Sequence, residues 1–394
     1  MDGLVVGGKG GSVSGFSNKR NDQRLEERVS AGLERHLPDP KLGEGMVNLA
    51  NNDYLGLANH LKVKEAAKAA IDLYGCSTAA SPLITGFKQP HFELQERLLD
   101  WYGTGCVMLW NSGYVANQAL FSALPEQDDH VFADRHIHHS VIAGLLRSKA
   151  KFHRFPHLDL DRLEECLRKR QGAAGNDFVV TESVFSMDGD CPDLTQLAEL
   201  RARYGFAWIV DEAHALGWYG ERGSGLLEQR GILEQADAVL GTFGKALGSQ
   251  GAYLLLRREA WRRYLMNFAG EFIYSTYLAP SAAAAAAAAI DLTCRLSQER
   301  PLWREGSKQF RRKLRQGGWD VPNGDSPVVP LMLGEVETAM ELAERLRAGG
   351  VLAGMVRPPT VPQGTSRLRF SLKTNLSLET IADQINQLLG GAEP

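Results

Sequence analysis

The sequence AWIVDEAHALG spans residues 207–217 and joins a four-residue apolar run to two acids and a histidine. Short apolar runs rich in β-branched residues predict buried strands, and longer runs with a helical period predict helices. The two alternate along the chain, with strands predicted at 106–110, 131–133, 178–181, 206–210, 238–240 and 253–256 and helices at 63–73, 92–102, 114–123, 140–147, 159–169 and 194–204. This alternation predicts an α/β fold around a mostly parallel sheet, whose ligands bind at the carboxyl ends of the strands.

The composition is that of a globular protein without a strong charge bias. Of the 394 residues 44% are hydrophobic, and 44 basic side chains against 47 acidic ones give a formal charge of −3. Proteins that bind nucleic acid or anionic membranes carry a large basic excess, so we expect neither partner. The five cysteines form no C-x-x-C pair, which is typical of a reducing compartment. With no signal-peptide pattern and no apolar stretch of about 18 residues, a cytoplasmic location is expected.

Three regions of the chain differ in character. Residues 1–55 begin with a Gly/Ser-rich stretch, predicted to be a flexible leader, and continue with a helical pattern over 24–36. Residues 56–290 carry the alternation of strands and helices and are predicted to form the large domain. Residues 291–394 change to a basic helical stretch followed by a second helix and short strands, which indicates a small α+β C-terminal domain.

Two interpretations compete for the sequence DEAH at residues 211–214. A helicase of the DEAH type needs an upstream phosphate loop of the form G-x-x-x-x-G-K-[ST]. The nearest approach, GLVVGGKG at residues 3–10, has glycine where Ser or Thr must hold magnesium, and it follows no predicted strand. The sequence therefore favours the alternative, in which Asp211 acts together with Lys245.

Lys245 lies in the Gly-rich stretch GTFGKALG (241–248), directly after another predicted strand. A lysine held at a strand end among small residues suits a Schiff-base lysine, whose amine must be neutral and oriented. Pyridoxal phosphate (PLP) forms such a bond and also needs an acid against its pyridine nitrogen. Asp211, at another predicted strand end, can be that acid. For either residue taken alone, a surface charge is the ordinary alternative.

Three further polar segments follow predicted strands. The turn NSGY (111–114) stands before a helix, whose N-terminal N–H groups and dipole can hold a phosphate. His138, in DRHIHHS (134–140), can stack on a pyridine ring. Ser186 lies in a polar loop where it can bond the phenolic oxygen of the cofactor. Ordinary turns and loops are the alternative for each segment.

The histidines near His138 allow a second interpretation. Together with His153 and His157 they suggest a metal site. However, the sequence has no H-E-x-x-H motif, no paired cysteines and no carboxylate ligand at helical spacing. Solvated histidines are the simpler alternative, and we expect no metal.

Together these motifs resemble the α-oxoamine synthases, which are PLP-dependent enzymes of the aspartate-aminotransferase fold (fold type I). The matching stretches are NDYLGL (52–57), NSGYVANQA (111–119), DRHIHHS (134–140), VVTESVFSMDGD (179–190), VDEAHALGWYGERGSG (210–225), TFGKALG (242–248), IYST (273–276) and RPPTVPQGTSRLRFSL (357–372). Motifs in this order and spacing are highly specific. The resemblance implies a large domain with a mostly parallel seven-stranded sheet and a small α+β C-terminal domain.

The resemblance also implies how individual residues meet the cofactor. Lys245 would form the Schiff base with PLP, Asp211 would pair with its pyridine nitrogen and His138 would stack on its ring. The other implied contacts are Gly113, Tyr114 and Thr242 at the phosphate, Ser186 and His214 at the O3′ side with Glu182 supporting them, and Ser275 and Thr276 at the phosphate of a second subunit. This last contact implies an obligate homodimer.

The implied substrate contacts lie in other motifs. Asn52 and Arg369 match positions that hold the amino-acid carboxylate, and Thr360 matches a substrate-side threonine. Arg369 also suits this role on chemical grounds, because a guanidinium can bind a carboxylate through two parallel hydrogen bonds. A surface charge on an edge strand is the alternative for this arginine.

The implied activity is the decarboxylative condensation of a small amino acid with an acyl thioester of CoA or acyl carrier protein. Alanine and a pimeloyl group are the first expectation, and the products would be an α-amino ketone, CO2 and the free thiol carrier. The apolar loop 75–86 lacks the glycine-rich segment common in the family, so a fatty or polyketide acyl group is an alternative, as is glycine C-acetyltransferase activity. A catalytically silent subunit is the non-enzymatic alternative, but such subunits are expected to lose the lysine that this chain has at position 245.

Overall fold

The structure is a computed structural model that describes residues 18–391. The predicted leader falls almost entirely outside these residues. The strands are β1 (Val47–Leu49), β2 (Cys106–Trp110), β3 (His130–Asp134), β4 (Lys151–Phe155), β5 (Asp177–Glu182), β6 (Ala207–Asp211), β7 (Ala238–Thr242), β8 (Ala252–Leu256), β9 (Val328–Gly334), β10 (Val351–Val356) and β11 (Ser366–Ser371). The helices are α1 (Lys19–Ser30), α2 (Leu61–Tyr74), α3 (Gln89–Tyr102), α4 (Gly113–Ala123), α5 (His139–Leu145), α6 (Leu160–Arg170), α7 (Leu194–Tyr204), α8 (Leu226–Gln229), α9 (Glu259–Phe268), α10 (Gly270–Ile273), α11 (Pro280–Thr293), α12 (Arg300–Gln316), α13 (Val336–Ala348) and α14 (Leu378–Leu389). Within residues 18–391, no helix combines the length and the apolar character needed to span a bilayer.

Seven strands form the larger sheet, in the order β2-β8-β7-β6-β5-β3-β4. Neighbouring strands are parallel except at β8, which runs antiparallel to both β2 and β7. The middle of β6 is the centre of the core, where Trp208, Ile209 and Val210 are at most 1% exposed. Continuous apolar runs of this kind are typical of parallel strands covered by helices on both faces. The predicted α/β architecture with a mostly parallel seven-stranded sheet is confirmed.

Strand β4 and helix α1 differ from the sequence prediction, and helices α8, α9 and α10 were not predicted. The edge strand β4 was not predicted, because its sequence KFHRF lacks an apolar run and its side chains Lys151 and Arg154 are exposed. An edge strand pairs on one side only and is partly solvated, so its hydrophobic signal is weak. Helix α1 also ends earlier than the predicted pattern over 24–36, because Gly32 adopts a left-handed φ of +64° just past its end.

The smaller sheet has four strands in the order β1-β10-β11-β9. Its first strand comes from the N-terminal part of the chain, since β1 pairs in parallel with β10 and Val47 lies opposite Val351. The other two pairs are antiparallel. Helix α13 packs on this sheet, and α12 packs against α14. The N-terminal segment thus joins the C-terminal part of the chain, and the domain boundaries at residues 55 and 290 stay a prediction.

The loop that follows β5 connects the two sheets at the carboxyl end of the larger one. Ser326, which precedes β9, donates a hydrogen bond to the backbone oxygen of Gly189 at 2.6 Å. A Cβ atom at Gly189 would lie 2.1 Å from the oxygen of Val328, and its φ is +66°, so only glycine allows this approach. Arg369 of β11 donates to the backbone oxygen of Ser186 at 2.7 Å. Side chains of the smaller sheet are thereby fixed beside the strand ends of the larger one.

Candidate active site

Lys245 lies in the loop after β7, at the carboxyl end of the larger sheet. Its Nζ atom is 2.9 Å from Nε2 of His214, which follows β6. Burial lowers the pKa of Lys245 to about 8, although the carboxylates of Asp211 and Glu182 act in the opposite direction. The neutral amine, which is the form that acts as a base or nucleophile, is therefore more populated at neutral pH than in a free lysine.

His214 is held between Lys245 and Tyr54. The Tyr54 hydroxyl lies 2.6 Å from Nδ1 of His214 and 3.3 Å from Oδ1 of Asn52, to which it donates. Burial lowers the pKa of His214 well below its usual range and raises the pKa of Tyr54 to about 12. Both side chains are therefore neutral at neutral pH. A neutral imidazole donates at one ring nitrogen and accepts at the other, so it couples the protons of Tyr54 and Lys245.

Asp211 ends β6, and two donors fix its carboxylate. Oδ2 accepts from Nδ2 of Asn117 and Oδ1 accepts from the backbone N–H of Ala213, each at 3.0 Å. Asn117 also donates to the hydroxyl of Ser140, which lies 2.7 Å from Nδ1 of His138. Burial lowers the pKa of His138, although Asp211 opposes the shift. A polar chain from α4 and α5 thus joins the acid to a largely neutral imidazole.

Glu182 ends β5 directly beside Asp211 in the parallel register. Its side chain is 2% exposed, and Oε1 has no hydrogen-bond partner among the described residues. Burial, together with the neighbouring Asp211, raises the pKa of Glu182 well above its usual range. A buried polar atom without a partner is costly, so this oxygen indicates that the site is completed by another group.

The N-terminus of α4 lies at the next strand ends. Gly113 and Tyr114 form its first turn, whose N–H groups have no partner within the helix. A Cβ atom at Gly113 would lie 3.9 Å from Cβ of Thr242, so Thr242 adjoins this helix end. The Tyr114 ring meets His138 edge-on, with their centroids 6.4 Å apart. The structure therefore gathers the residues that were predicted to surround the phosphate and the ring.

Ser275 and Thr276 reach this helix end within a single protomer. Nδ2 of Asn111 donates to the hydroxyl of Ser275 at 3.1 Å and to the backbone oxygen of Thr276 at 2.7 Å. The Oδ1 atom of Asn111 is buried and has no partner within residues 18–391. The predicted contact of Ser275 and Thr276 with the phosphate of a second subunit stays a prediction.

Arg369 and Asn52 meet on the side of the smaller sheet. Nη1 of Arg369 donates to Oδ1 of Asn52 and to the hydroxyl of Ser371, both at 3.0 Å, and the arginine is 6% exposed. A buried guanidinium beside an amide can bind a carboxylate. No hydrogen bond joins Thr360 to Arg369 or to Asn52. It lies in the loop after β10, where its hydroxyl accepts from Arg35 at 3.2 Å.

Comparisons with known proteins show the family of this chain. The sequence matches the family described as aminotransferase class I and II over residues 44–388. It is 42% identical over 333 residues to the 8-amino-7-oxononanoate synthase of Geobacter sulfurreducens, which covers 84% of each chain. It is 37% identical over 391 residues to the 8-amino-7-oxononanoate synthase of Aeromonas hydrophila, covering 99% of this chain and 96% of the relative. The chain belongs to the α-oxoamine synthases, within the class I and II aminotransferase family.

A solved structure supports this assignment at the level of the fold. The chain is similar to a serine palmitoyltransferase from S. paucimobilis with PLP and myriocin bound, with a TM-score of 0.86 and 26% sequence identity. The match covers 95% of this α-oxoamine synthase and 98% of that chain. The resemblance and the fold type predicted from the sequence are confirmed, which removes the helicase interpretation, and the cofactor is PLP.

The residues of this α-oxoamine synthase fit PLP. Lys245 offers the amine for the Schiff base, Asp211 a fixed carboxylate for the pyridine nitrogen, and the first turn of α4 a set of N–H donors for the phosphate. The unpartnered oxygens of Glu182 and Asn111 lie on the surrounding elements. One chain thus supplies the amine, the acid and the N–H donors that PLP requires.

The sequence prediction missed several polar residues of the site. Tyr54, Asn117 and Ser140 lie inside the quoted motifs, but nothing in the motifs alone showed that they connect His214, Asp211 and His138. One signal was available for Asn117, because it is a polar residue on the buried face of an otherwise apolar helix. Tyr54 carried no such signal, since a buried tyrosine ring is also ordinary core.

The histidines that were considered as metal ligands lie in different groups. His130 and His153 bond each other at 2.9 Å, while His138 bonds Ser140. Three of the candidate ligand groups do cluster, with atoms within 4.8 Å of one another, namely those of His136, His157 and Asp188. Both ring nitrogens of His157 are bonded to carboxylates, however, and Asp188 pairs with Arg367. This cluster is therefore a network of ion pairs.

His157 bridges two loops that follow β3 and β5. Its Nδ1 lies 2.8 Å from Asp134 and its Nε2 lies 2.9 Å from Asp190. Burial disfavours the charged ring, but the two carboxylates outweigh it and raise the pKa of His157 to about 10. The folded-state pKa thus exceeds the unfolded value of about 6.5. The stabilisation is complete below pH 6.5 and is lost as the pH rises through 10.

The substitution His157→Gln is expected to lower the free energy of unfolding by about 2–3 kcal/mol at pH 6, because two hydrogen bonds to charged groups are lost. This deficit should shrink as the pH rises toward 10. Urea unfolding at pH 6, 8 and 10 measures it. His153→Gln is the matched control, since the recorded bond of His153 is to His130 and not to a carboxylate. A deficit for His157→Gln that stays constant with pH would contradict the prediction.

Proposed function

We propose that this chain catalyses the PLP-dependent condensation of L-alanine with a pimeloyl thioester, with loss of the alanine carboxylate as CO2. The products are 8-amino-7-oxononanoate and the free thiol carrier. The observation that carries the proposal is the amine of Lys245, held 2.9 Å from His214 and beside Asp211, in a chain 42% identical to an 8-amino-7-oxononanoate synthase.

The residues of the larger sheet and those of the smaller sheet have different roles in the proposed reaction. When bound, PLP supplies an electron sink that stabilises negative charge at Cα of the amino acid. Arg369 and Asn52 bind the amino-acid carboxylate and orient Cα, and the lowered pKa of Lys245 suits Nζ to accept the Cα proton. The hydrogen bond from Asn117 fixes the carboxylate of Asp211, which would pair with the ring nitrogen of PLP. His138, whose Nδ1 is bonded to the hydroxyl of Ser140, would act as the hydrogen-bond donor to the ketone oxygen.

We also propose that the enzyme works as a homodimer. A surface next to Ser275 and Thr276 carries apolar side chains without cover in a single protomer, among them Ile84, 77% exposed, and Tyr274, 86% exposed. The loop that carries Ile84 is joined to this surface by a hydrogen bond from the N–H of Tyr277 to the oxygen of Ala80, at 3.0 Å. Such a surface at the mouth of a site supports a symmetric interface between two copies.

The proposed location is the cytoplasm. The five cysteines are free thiols, and Cys76 is exposed to solvent. Free thiols persist in reducing compartments, where disulfides are rare. The free thiols therefore support a cytoplasmic location.

A second candidate is the same condensation with serine and a long-chain acyl thioester. Its support is the similarity to a serine palmitoyltransferase, with a TM-score of 0.86 over 95% of this chain. The sequence identity of 26% to that enzyme is lower than the 42% to an 8-amino-7-oxononanoate synthase, so the first candidate is preferred.

The test is a substrate matrix with the PLP-loaded protein. L-Alanine, L-serine and glycine are each combined with acetyl, pimeloyl and palmitoyl thioesters, and the amino ketone and CO2 are measured. A kcat/KM for alanine with the pimeloyl group at least tenfold above every other pair supports the proposal. Preference for serine with the palmitoyl group would establish the second candidate. No condensation with any pair, in a protein whose visible spectrum shows bound PLP, would overturn both.

Tyr54→Phe is expected to lower kcat about tenfold, since one hydrogen bond to a buried ring is worth about 1–2 kcal/mol. The change removes the hydroxyl 2.6 Å from His214 and leaves the ring in place. Steady-state kinetics with saturating substrates measure it. Tyr102→Phe is the matched control, because this buried hydroxyl bonds Tyr253 instead. Equal kcat values and pH profiles for Tyr54→Phe and the wild type would contradict the role of Tyr54.

A further inference from the structure

Strand β11 carries two buried arginines on one of its faces. Successive side chains of a strand alternate between the two faces, so Arg367 and Arg369 point to one side of the smaller sheet and Phe370 points to the other. On that other side the ring of Phe370 meets the ring of Phe310 in α12 edge-on, with their centroids 5.9 Å apart. The two arginines are 3% and 6% exposed. A buried guanidinium needs polar partners, and both arginines have one in residues 183–190 after β5 (the β5 loop).

The contacts of the two arginines with the β5 loop differ in kind. Nη1 of Arg367 donates to Oδ1 of Asp188, which makes a buried ion pair. Nε of Arg369 donates to the backbone oxygen of Ser186 at 2.7 Å, and its Nη1 donates to Asn52. Because a guanidinium group is planar, these two bonds together fix the orientation of its plane. The position of Ser186 therefore determines how Arg369 faces a substrate carboxylate.

The last two residues of the β5 loop have anchors of their own. Nε2 of His157 lies 2.9 Å from Oδ2 of Asp190, and Ser326 donates to the backbone oxygen of Gly189 at 2.6 Å. The ion pair at Asp188 lies between these anchors and the backbone oxygen that orients the substrate-binding arginine. It is therefore the contact with the smaller sheet that can control this part of the loop.

The carboxylate of Asp188 depends on Arg367 for its charge compensation. Its other cationic neighbour is His136, whose Nδ1 lies 3.5 Å from Oδ2 and whose side chain is 36% exposed. The side chain of Asp188 is 19% exposed, so removal of the arginine would leave it mostly buried without its main partner. A buried charge that loses its partner is strongly destabilising. The loop would move to bring this carboxylate into water, and Ser186 would move with it.

We propose that Arg367 is a positioning residue for the amino-acid substrate. Through Asp188 it holds the β5 loop in the place where Ser186 orients Arg369. This inference rests on the proposed function, because it takes Arg369 to bind the carboxylate of the amino acid. Arg367 itself donates to Asp188 and to the backbone oxygen of Thr365. Two parallel hydrogen bonds to a carboxylate need an aligned guanidinium, so rotation of its plane would lose one of them.

The test measures the binding of L-alanine to the PLP-loaded protein through the change in its visible spectrum, which needs no acyl thioester. In Arg367→Gln we expect the Kd for alanine to rise about tenfold, as for the loss of one hydrogen bond to a charged group. KM for alanine should rise by a similar factor, while KM for the thioester and kcat at saturating alanine change less than about twofold. Arg367→Lys should lie between this variant and the wild type, because it keeps the charge but not the planar group.

A double-mutant cycle tests whether Arg367 acts through Asp188. Asp188→Asn alone should raise the Kd for alanine as Arg367→Gln does, because each change leaves a buried charge without its partner. The double variant Arg367→Gln/Asp188→Asn removes both charges of the pair, so its Kd should be no higher than that of either single variant. Multiplied effects in the double variant, or an unchanged Kd in Asp188→Asn, would overturn the proposal.

The matched control is an ion pair at the other end of β5. Nε of Arg170 lies 3.0 Å from Oδ1 of Asp177, and their side chains are 15% and 19% exposed. Arg170→Gln should lower the free energy of unfolding, measured with urea, and leave the Kd for alanine unchanged. If Arg170→Gln raised this Kd as much as Arg367→Gln, the effect would be one of stability and the positioning role would be refuted.

The spectral titration also separates this inference from the proposed function. If the wild type binds alanine but condenses it with no acyl thioester, the proposed function fails, and a tenfold higher Kd in Arg367→Gln would still establish the positioning role. If the wild type condenses alanine and Arg367→Gln binds it as tightly as the wild type, the positioning role alone fails. Binding of none of alanine, serine and glycine would overturn both.

Discussion

Replacing Lys245 by alanine is expected to lower kcat by about 10⁴-fold or more, since it removes both the nucleophilic amine and the base that accepts the Cα proton. The fold should persist, because the side chain is only partly buried and its recorded hydrogen bond is to His214. Single-turnover kinetics measure the rate, and the visible spectrum reports loss of the lysine-dependent imine band.

A second lysine provides the control for this substitution. Lys373 is also partly buried and its pKa is lowered by burial, but it lies beside Asp53 and not His214. Lys373→Ala should keep kcat within about threefold of the wild type, as expected for a side chain outside the reacting groups. A kcat for Lys245→Ala within tenfold of the wild type would contradict the assignment of this lysine.

The isosteric change Asp211→Asn is expected to lower kcat about 10³-fold, the loss typical of removing one preorganised charge from an active site. The asparagine has no negative charge to pair with a protonated ring nitrogen. The carboxylate of Asp211 now accepts from two donors, Asn117 and the backbone N–H of Ala213. In the variant, the NH2 group of the new asparagine would face one of these donors, and no hydrogen bond could form there. The measurements are kcat and the affinity for PLP.

Asp237→Asn controls for the loss of any buried acid. Asp237 is 1% exposed and pairs with Arg201, at the opposite edge of the sheet from the site. This variant should unfold at lower urea concentration and keep the kcat of the wild type in its folded state. If both substitutions lowered kcat alike, the effect of Asp211→Asn would be one of stability, and the proposed role would be wrong.

The positions of Asp211 and Lys245 at strand ends followed from the sequence, whereas Glu182 was implied by the family resemblance. The order β7-β6-β5, which brings the three residues together, comes from the structure. The interpretation needed only local patterns, namely an apolar run followed by a polar residue. The fold type and the cofactor rested in addition on the order and spacing of the motifs.

The contacts between distant segments did not follow from any local pattern. Tyr54 meets His214 across 160 residues, and Arg369 meets Asn52 across 317. Each contact depends on how the smaller sheet is placed against the larger one, and that placement is fixed by loop contacts such as Ser326 with Gly189. The edge strand β4 was not predicted for a different reason, because a half-solvated strand has little hydrophobic pattern to detect.

The pairing of β1 with β10 also sets the order in which the protein can be completed during synthesis. β1 leaves the ribosome early, yet its recorded partner β10 is translated about 300 residues later, a very non-local contact. A nascent chain that has reached residue 340 already contains every strand of the larger sheet, with Lys245 and Asp211, but neither β10 nor Arg369. Chains released early by stalled translation would therefore present an unpaired Val47–Leu49 segment, which cellular proteases and chaperones can use to recognise them as unfinished.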